Sequence, residues 1–283
     1  MKIFIKVLFN LLNFILLLFI FIISYKNNLK LNLIENNMNN KLPNKESKKP
    51  KIDTISKVIK FNGIQYSIFK IYNHALNNLV LYYKDENEVN YKSFKNLHQD
   101  LNRKGYNLLF ATNAGIYTKN FAPEGLFIQN KKIVNPLNLK NGKGNFYLKP
   151  NGVFFIIDNK PNILETSEFE NNIKLDDIQF AVQSGPLIID KGKIHKSFTE
   201  TSNNKNIRNA VCVDNNSVIF VLSNNDVTFY DFSLFFLNRL KCKSALYLDG
   251  AISDMFLPKI NRTLNNIKND GKFSGIFGYI ERK

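Results

Sequence analysis

The sequence predicts an α+β fold: a curved, mixed or antiparallel β-sheet core built of hairpins, with a few helices packed on it. Three observations carry this expectation. From residue 58 onward, apolar β-branched and aromatic runs alternate with short breaks of Asn, Asp, Gly and Lys. Only two stretches show a helical period. The two helix-then-strand units so formed also resemble each other, which raises the option of an internal duplication.

Taken in order, residues 93–104 place Phe94, Leu97 and Leu101 on one helical face, and Gly105 offers a stop. The run Leu108–Ala111 then reads as a buried strand ending in Asn113. Four hairpins follow. "GLFIQNKKIV" (125–134) turns at its polar centre, and "GVFFIIDNKPNILE" (152–165) turns around Asp158–Pro161. "GPLIIDKGKIH" (185–195) turns at Lys191-Gly192, and "AVCVDNNSVIFVLS" (210–223) at Asn215-Asn216. In 231–241, Asp231 can cap a helix whose apolar face is Phe232, Phe235, Phe236 and Leu240. "LNRKGYNLLFATNAGIY" (101–117) aligns with "LNRLKCKSALYLDGAIS" (237–253) at a constant offset, placing Asn113 on Asp249. The competing reading is coincidence in a biased composition. If the repeat is real, both positions face one pocket.

The domain boundaries follow from composition. Residues 7–23 form the longest apolar run, with Lys2 and Lys6 before it and Lys26 and Lys30 after it. Residues 1–25 therefore read as an uncleaved signal anchor or transmembrane segment, with a cleaved signal peptide as the alternative. That places the body of the protein outside the cytoplasm, either membrane-anchored or secreted. Residues 26–57 are rich in Asn and Lys and read as a flexible stalk. Residues 58–283 are the folded domain.

The formal charge is +16, from 39 basic and 23 acidic residues. Residues 1–57 carry +7 and the rest +9. No Arg-rich helix, zinc-finger spacing or ribonucleoprotein motif accompanies that charge, so a specific nucleic-acid partner is not expected. Attraction to anionic envelope polymers is compatible with it. Cys212 and Cys242 are the two cysteines. An oxidising compartment permits a disulfide, but isolated positions on a strand and after a helix favour two buried thiols.

Five motifs wedge a polar residue among small ones: "TNAGIY" (112–117), "APEGL" (122–126), "QSGPLI" (183–188), "IRNAV" (207–211) and "LDGAIS" (248–253). Small neighbours allow close approach of a ligand to the backbone, and successive N–H groups can cradle an anion. Arg208 offers a planar fork suited to phosphate. Asp249 and Glu124 are the carboxylates best placed by context, each beside a glycine.

These motifs and their order, together with "GNFYLKPNGVFF" (144–155), resemble the phosphodiester glycosidase family. This is the domain shared with the lysosomal uncovering enzyme, and the likeness is to the family's bacterial branch. It covers roughly residues 60–280. The family's Asp, Gly run and Ser are altered here, because Ala251 and Ile252 stand between Gly250 and Ser253. The resemblance implies a hydrolase that breaks the bond between an anomeric carbon and a phosphate oxygen. A phosphate monoester leaves without protonation, so one carboxylate and a phosphate clamp suffice where other glycosidases need two carboxylates.

On that basis Asp249 is expected to act as base, nucleophile or stabiliser of the cationic sugar, and Arg208 to hold the departing phosphate. Glu124 is the candidate second carboxylate. Asn113 and Gln183 would position sugar hydroxyls or phosphate oxygens. Ser184 and Gly185 would supply N–H donors, and Gly115, Asn209, Gly250 and Ser253 would complete the substrate surface. No cofactor is required. A divalent cation, calcium by its taste for oxygen ligands, is compatible with Asp249 and loop carbonyls. Each residue also has a structural alternative: Asp249-Gly250 as a turn, Asn113 as a left-handed turn residue, Arg208 paired with Asp214, and His195 as an exposed structural histidine. The expected partner is a sugar-phosphodiester or phosphorylated glycan, with the membrane contacted through the N-terminal segment. The alternative function is a non-catalytic glycan or envelope-polymer binder on the same fold.

Overall fold

The computed structural model describes residues 22–23, 25–26, 52–250 and 252–283. The chain divides into two units, Met1–Lys51 and Ile52–Lys283. In the first, Ile22, Ile23, Tyr25 and Lys26 are helical and exposed. The rest of the anchor over 1–25, and the stalk up to residue 51, lie outside the described residues. Among the described residues no helix is long and apolar enough to cross a membrane. The second unit starts before residue 58, because the first strand already begins at Thr54. It is an edge strand with Ile59 as its one buried side chain, so its sequence reads as polar linker.

Among the described residues the second unit holds three sheets, and every pairing in them is antiparallel. The first sheet has seven strands in the order β1 (Thr54–Phe61), β2 (Ile64–Tyr72), β13 (Ser217–Ser223), β12 (Asn209–Asp214), β14 (Ser244–Tyr247), β10 (Leu187–Asp190) and β11 (Lys193–Ile194). The second has the order β15 (Met255–Phe256), β4 (Tyr106–Asn113), β16 (Ile276–Arg282) and β3 (Leu79–Tyr82). The third has the order β6 (Lys132–Asn135), β5 (Phe127–Gln129), β9 (Ile178–Ser184), β7 (Gly152–Ile157) and β8 (Lys160–Glu165). The four hairpins read from the sequence are β5–β6, β7–β8, β10–β11 and β12–β13.

Phenylalanines join the sheets at one central core. Phe220 of β13 packs 5.1 Å from Phe110 of β4 and 5.1 Å from Phe277 of β16, ring centre to ring centre. Phe154 of β7 reaches both Phe220 and Phe277, at 6.1 and 5.6 Å. Aromatic pairs at these separations add to the burial of their area. The outer faces carry the helices. Helix α1 (Phe94–Arg103) covers the second sheet through Phe94, Leu97 and Leu101. The short α2 (Thr166–Asn172) sets Phe169 5.1 Å from Phe155 on the third. Helix α3 (Phe229–Leu234) continues as a wider turn over Phe235–Leu240 and packs Phe232, Phe235 and Phe236 on the first. Strands such as β13 are thus buried on both faces, which explains their unbroken apolar sequence.

Both expected helices form, with α1 capped by Ser93, whose side chain accepts from the Asn96 N–H. Gly105 follows it at φ +82°. The cap of α3 is Thr228, not Asp231. Thr228 Oγ1 accepts from the Asp231 N–H at 3.0 Å, and Asp231 takes the threonine proton at 2.8 Å. The cysteines are not free thiols: Cys212 of β12 and Cys242, just past the wide turn, form a disulfide. Its half-cystines lie 30 residues apart, and sheet-to-helix packing brings their Cα atoms to 6.2 Å.

Candidate active site

The last residue of β4, the first of β12 and the loop after β14 meet at the junction of the first two sheets. Asn113 is 1 % exposed and Asn209 fully buried. The Asn209 amide nitrogen donates toward Asn113 Oδ1 at 2.9 Å, Asn113 O at 3.1 Å and Thr112 Oγ1 at 3.2 Å. Its Oδ1 accepts the Asp249 N–H at 3.1 Å and lies 3.0 Å from Ser253 Oγ. Asn113 Nδ2 donates to the Asp249 carbonyl at 3.1 Å, and Ser253 Oγ lies 2.8 Å from that same carbonyl. Asn113 Oδ1 also accepts from the Asp254 N–H at 3.0 Å. The loop carrying Asp249 is therefore held from beneath by two neutral amides. Only Asn supplies a donor and an acceptor at this length, so the polar end of an apolar strand is explained. The two similar units lie in different sheets, yet the aligned positions Asn113 and Asp249 do touch.

Ser184 extends the support from the third sheet. Its hydroxyl donates to the Leu248 carbonyl at 2.7 Å and accepts from the Ile116 N–H at 3.3 Å. All three sheets thus converge on residues 248–254.

Arg208 departs from its expected role as a phosphate clamp. It is 1 % exposed, with its guanidinium spent inside the protein. Nε donates to the Val227 carbonyl at 2.9 Å, Nη2 to the Asn204 carbonyl at 2.9 Å and Nη1 toward the Tyr247 hydroxyl at 3.4 Å. Its plane lies 3.7 Å over the Phe229 ring. Nor does it pair with Asp214, whose carboxylate bonds Lys70 at 3.0 Å. The Tyr247 hydroxyl stands where a side chain on Gly250 would have to go. A relay thus runs from Arg208 through Tyr247 to the loop of Asp249. Burial pushes the Tyr247 phenol up to about 12; the Arg208 charge opposes this and the Asp249 charge adds to it. Burial, then the Asp249 charge, lifts Tyr117 to about 12 as well. Both phenols therefore keep their protons at neutral pH, and Tyr117 donates its own to the Lys272 carbonyl.

Beside this loop lies a cavity of about 330 Å³, whose lining includes Gly250, Ser253, Asp254, Arg262, Asn224 and Lys268. Asp254 and Arg262 were not singled out in the sequence, because no small-residue motif marks them. Asp254 is 3 % exposed and its oxygens are taken. Oδ1 accepts from the Met255 N–H at 2.9 Å and Arg262 Nη2 at 3.3 Å, and Oδ2 accepts from the Lys268 N–H at 2.8 Å and the Asn269 N–H at 3.4 Å.

Other expected site residues serve structure or lie apart. Gln183 is 1 % exposed and uses its whole amide. Oε1 accepts from the Leu126 and Asn138 N–H groups at 3.0 and 2.9 Å, and Nε2 donates to the Asn138 carbonyl at 2.8 Å and toward Thr166 Oγ1 at 3.3 Å. It pins the 124–138 segment and has no donor left for a ligand. Glu124 accepts a hydrogen bond from the Tyr147 hydroxyl and lines a separate cavity of about 370 Å³. The carboxylate lining the cavity beside the Asp249 loop is instead Asp254. Gly115 and Gly185 are demanded by close packing: a Cβ on the first would stand 2.7 Å from Val182, and on the second 2.7 Å from Asn151. His195 is buried, not exposed. It donates from Nε2 to the Lys149 carbonyl and accepts at Nδ1 from the Ser197 N–H, each at 3.1 Å. Among the described residues no three His, Cys, Asp or Glu side chains gather as metal ligands. The Asp249 carbonyl, one of the loop oxygens open to a cation in principle, already accepts from Asn113 and Ser253.

Comparison with known proteins agrees with this architecture. Residues 106–277 match the family model described as phosphodiester glycosidase. A curated relative, the uncharacterized protein YigE of Escherichia coli (strain K12), is 35% identical over 178 residues, which is 62% of this chain and 68% of the relative. Among solved structures, the catalytic domain of zebrafish N-acetylglucosamine-1-phosphodiester alpha-N-acetylglucosaminidase, auto-inhibited by its pro-peptide, superposes with a TM-score of 0.56 at 14% identity. The match covers 84% of this chain and 86% of that one, a likeness of fold. With the family model spanning Asn113, Asn209 and Asp249, the chain belongs to the phosphodiester glycosidase family.

Proposed function

We propose that this protein is an exported, membrane-anchored hydrolase that cleaves a sugar-1-phosphodiester in an envelope glycan or glycoconjugate. The observation that carries the proposal is the position of Asp249. Its loop is fixed by Asn113, Asn209 and Ser253 at the edge of a polar, basic cavity. Asp249 directly precedes Gly250 of the lining, and in this reading its carboxylate meets an anomeric carbon bound beside Gly250 and Ser253 while phosphate occupies the basic side. The bond between that carbon and the phosphate oxygen breaks with its electron pair going to the oxygen, and a phosphomonoester leaves. The Asp249 charge stabilises the cationic sugar, water adds to the anomeric carbon, and its proton passes to the carboxylate. Tyr247, kept protonated, places a neutral hydroxyl against Gly250 of this loop.

Export is supported by the Cys212–Cys242 disulfide, which oxidising compartments favour, and by the apolar run at 7–23. The same fold could serve a glycan binder without turnover, and the Ala251-Ile252 pair in place of the family's glycines is the feature favouring it. The deciding experiment incubates the purified chain with a panel of sugar-1-phosphodiesters and measures free sugar. Release that is lost in Asp249→Asn is the expected result. Saturable glycan binding with no turnover across the panel would replace the hydrolase with the binder.

A further inference from the structure

Arg262 is an unusual cation in this chain because it is built into the wall of a cavity. Its side chain is 24 % exposed and fastened at two points: Nε donates to the Met255 carbonyl at 3.1 Å and Nη2 to Asp254 Oδ1 at 3.3 Å. The Asn224 side-chain Oδ1 lies 3.5 Å from Nη1. The loop that presents Arg262 is shaped by its own backbone. Leu257 bridges to Arg262, Asn261 adopts φ +62°, and Thr263 and Asn266 cap one another. The guanidinium is thus held in place before any ligand arrives. Burial disfavours its charge, a cost an incoming anion would offset.

Lys268 lines the same cavity. Its backbone N–H goes to Asp254 Oδ2, which leaves its ammonium outside that pairing. Asp254 is the single acid of the lining, and its oxygens are turned into backbone donors and Arg262. The cavity therefore offers two cations against one carboxylate that is already engaged. Arg208, the cation expected to grip phosphate, is not among the lining residues.

We propose that Arg262 and Lys268 form the phosphate subsite, binding the phosphoryl anion of a glycosyl phosphate next to Gly250 and Ser253. Arg262 presents a planar fork to two phosphate oxygens, and Lys268 adds a mobile point charge. The inference rests on the reading of this cavity as the substrate site, but it concerns an anion that binds with or without turnover. Arg208 is then a positioning residue, acting through Tyr247 on the loop of Asp249.

The test titrates inorganic phosphate into the full chain and follows binding by calorimetry. Wild type should bind saturably. Arg262→Gln should weaken binding about tenfold or more and Lys268→Gln about threefold, as loss of one charge-assisted contact predicts. Lys243→Gln, on a separate basic groove of about 640 Å³ that also holds Lys70, Lys160 and Lys241, should change nothing. If Arg262→Gln loses its native circular dichroism, Lys268→Gln decides, because only its side chain is altered and its backbone bond remains. Absence of saturable binding, unchanged affinity in folded variants, or equal weakening by Lys243→Gln would overturn the subsite. Arg262-dependent phosphate binding without any hydrolysis would sink the hydrolase reading and leave the subsite standing. Hydrolysis with phosphate binding unmoved by both substitutions would do the reverse.

Discussion

Asn209 Nδ2 lies 2.9 Å from Asn113 Oδ1, joining the first sheet to the second directly beneath Asp249. Replacing Asn209 by Asp keeps the shape and inverts the chemistry. An oxygen would then face Asn113 Oδ1, Asn113 O and Thr112 Oγ1, and a negative charge would be buried. The expected loss is about 2–4 kcal/mol, from broken buried hydrogen bonds and an uncompensated charge. Chemical denaturation of Asn209→Asp checks this, and a midpoint equal to wild type would show that the amide bridge carries no weight.

Tyr247→Phe separates positioning from folding. The phenol makes a long bond to Arg208, at 3.4 Å, and a hydrogen bond with the Gly250 backbone, so stability should fall by about 1–2 kcal/mol. Turnover should fall roughly tenfold or more, because the hydroxyl that stands beside Gly250 and the Asp249 charge is gone. A kcat change without a matching KM change is the signature. Equal rates for variant and wild type would remove Tyr247 from the relay.

The disulfide closes a loop of about 30 residues, for which chain entropy suggests roughly 3–4 kcal/mol of stabilisation. Cys212→Ser with Cys242→Ser should lower the thermal midpoint, and a reductant should lower wild type to the same value. A midpoint insensitive to reductant would show that the link contributes nothing.

His195 predicts acid sensitivity. Burial is the main cause holding its imidazole below the ordinary value of 6.5; the Lys149 carbonyl opposes this and Lys196 adds to it. The unfolded chain therefore takes up the proton first. Stability is complete above 6.5 and declines as pH falls through the depressed folded value. Protonation would also place a hydrogen on Nδ1, against the Ser197 N–H. Denaturation midpoints measured across that window should slope in wild type and flatten in His195→Gln. Parallel slopes would assign the acid sensitivity to other groups.

Much of this was legible in the sequence for identifiable reasons. Hairpins such as β12–β13 announce themselves through apolar runs broken by Asn and Asp, and α1 through its spacing and Gly105. Asn113 and Asp249 could be paired because two helix–strand units carry them at the same offset. Arg208 was found but misread, since a sequence does not show on which side of a strand an arginine is buried or that Val227 and Asn204 wait for it. Asp254 and Arg262 were invisible because their partnership depends on how residues 257–269 fold back. Gln183 looked like a ligand group for the reason that makes it a good fastener: an amide can meet two donors and offer two.

The order of strands in the second sheet also says when the site can exist. β4 lies between β15 and β16, and β3 pairs with β16, so two early strands wait for partners made near the far end of the chain. Contacts so distant in sequence form slowly and late. During synthesis the apolar β4, with Asn113 at its tip, remains unpaired until residues 255–282 have emerged, a period of exposure to wrong partners. The junction beneath Asp249 is therefore a late checkpoint: a chain that has assembled it has passed through nearly all of its folding.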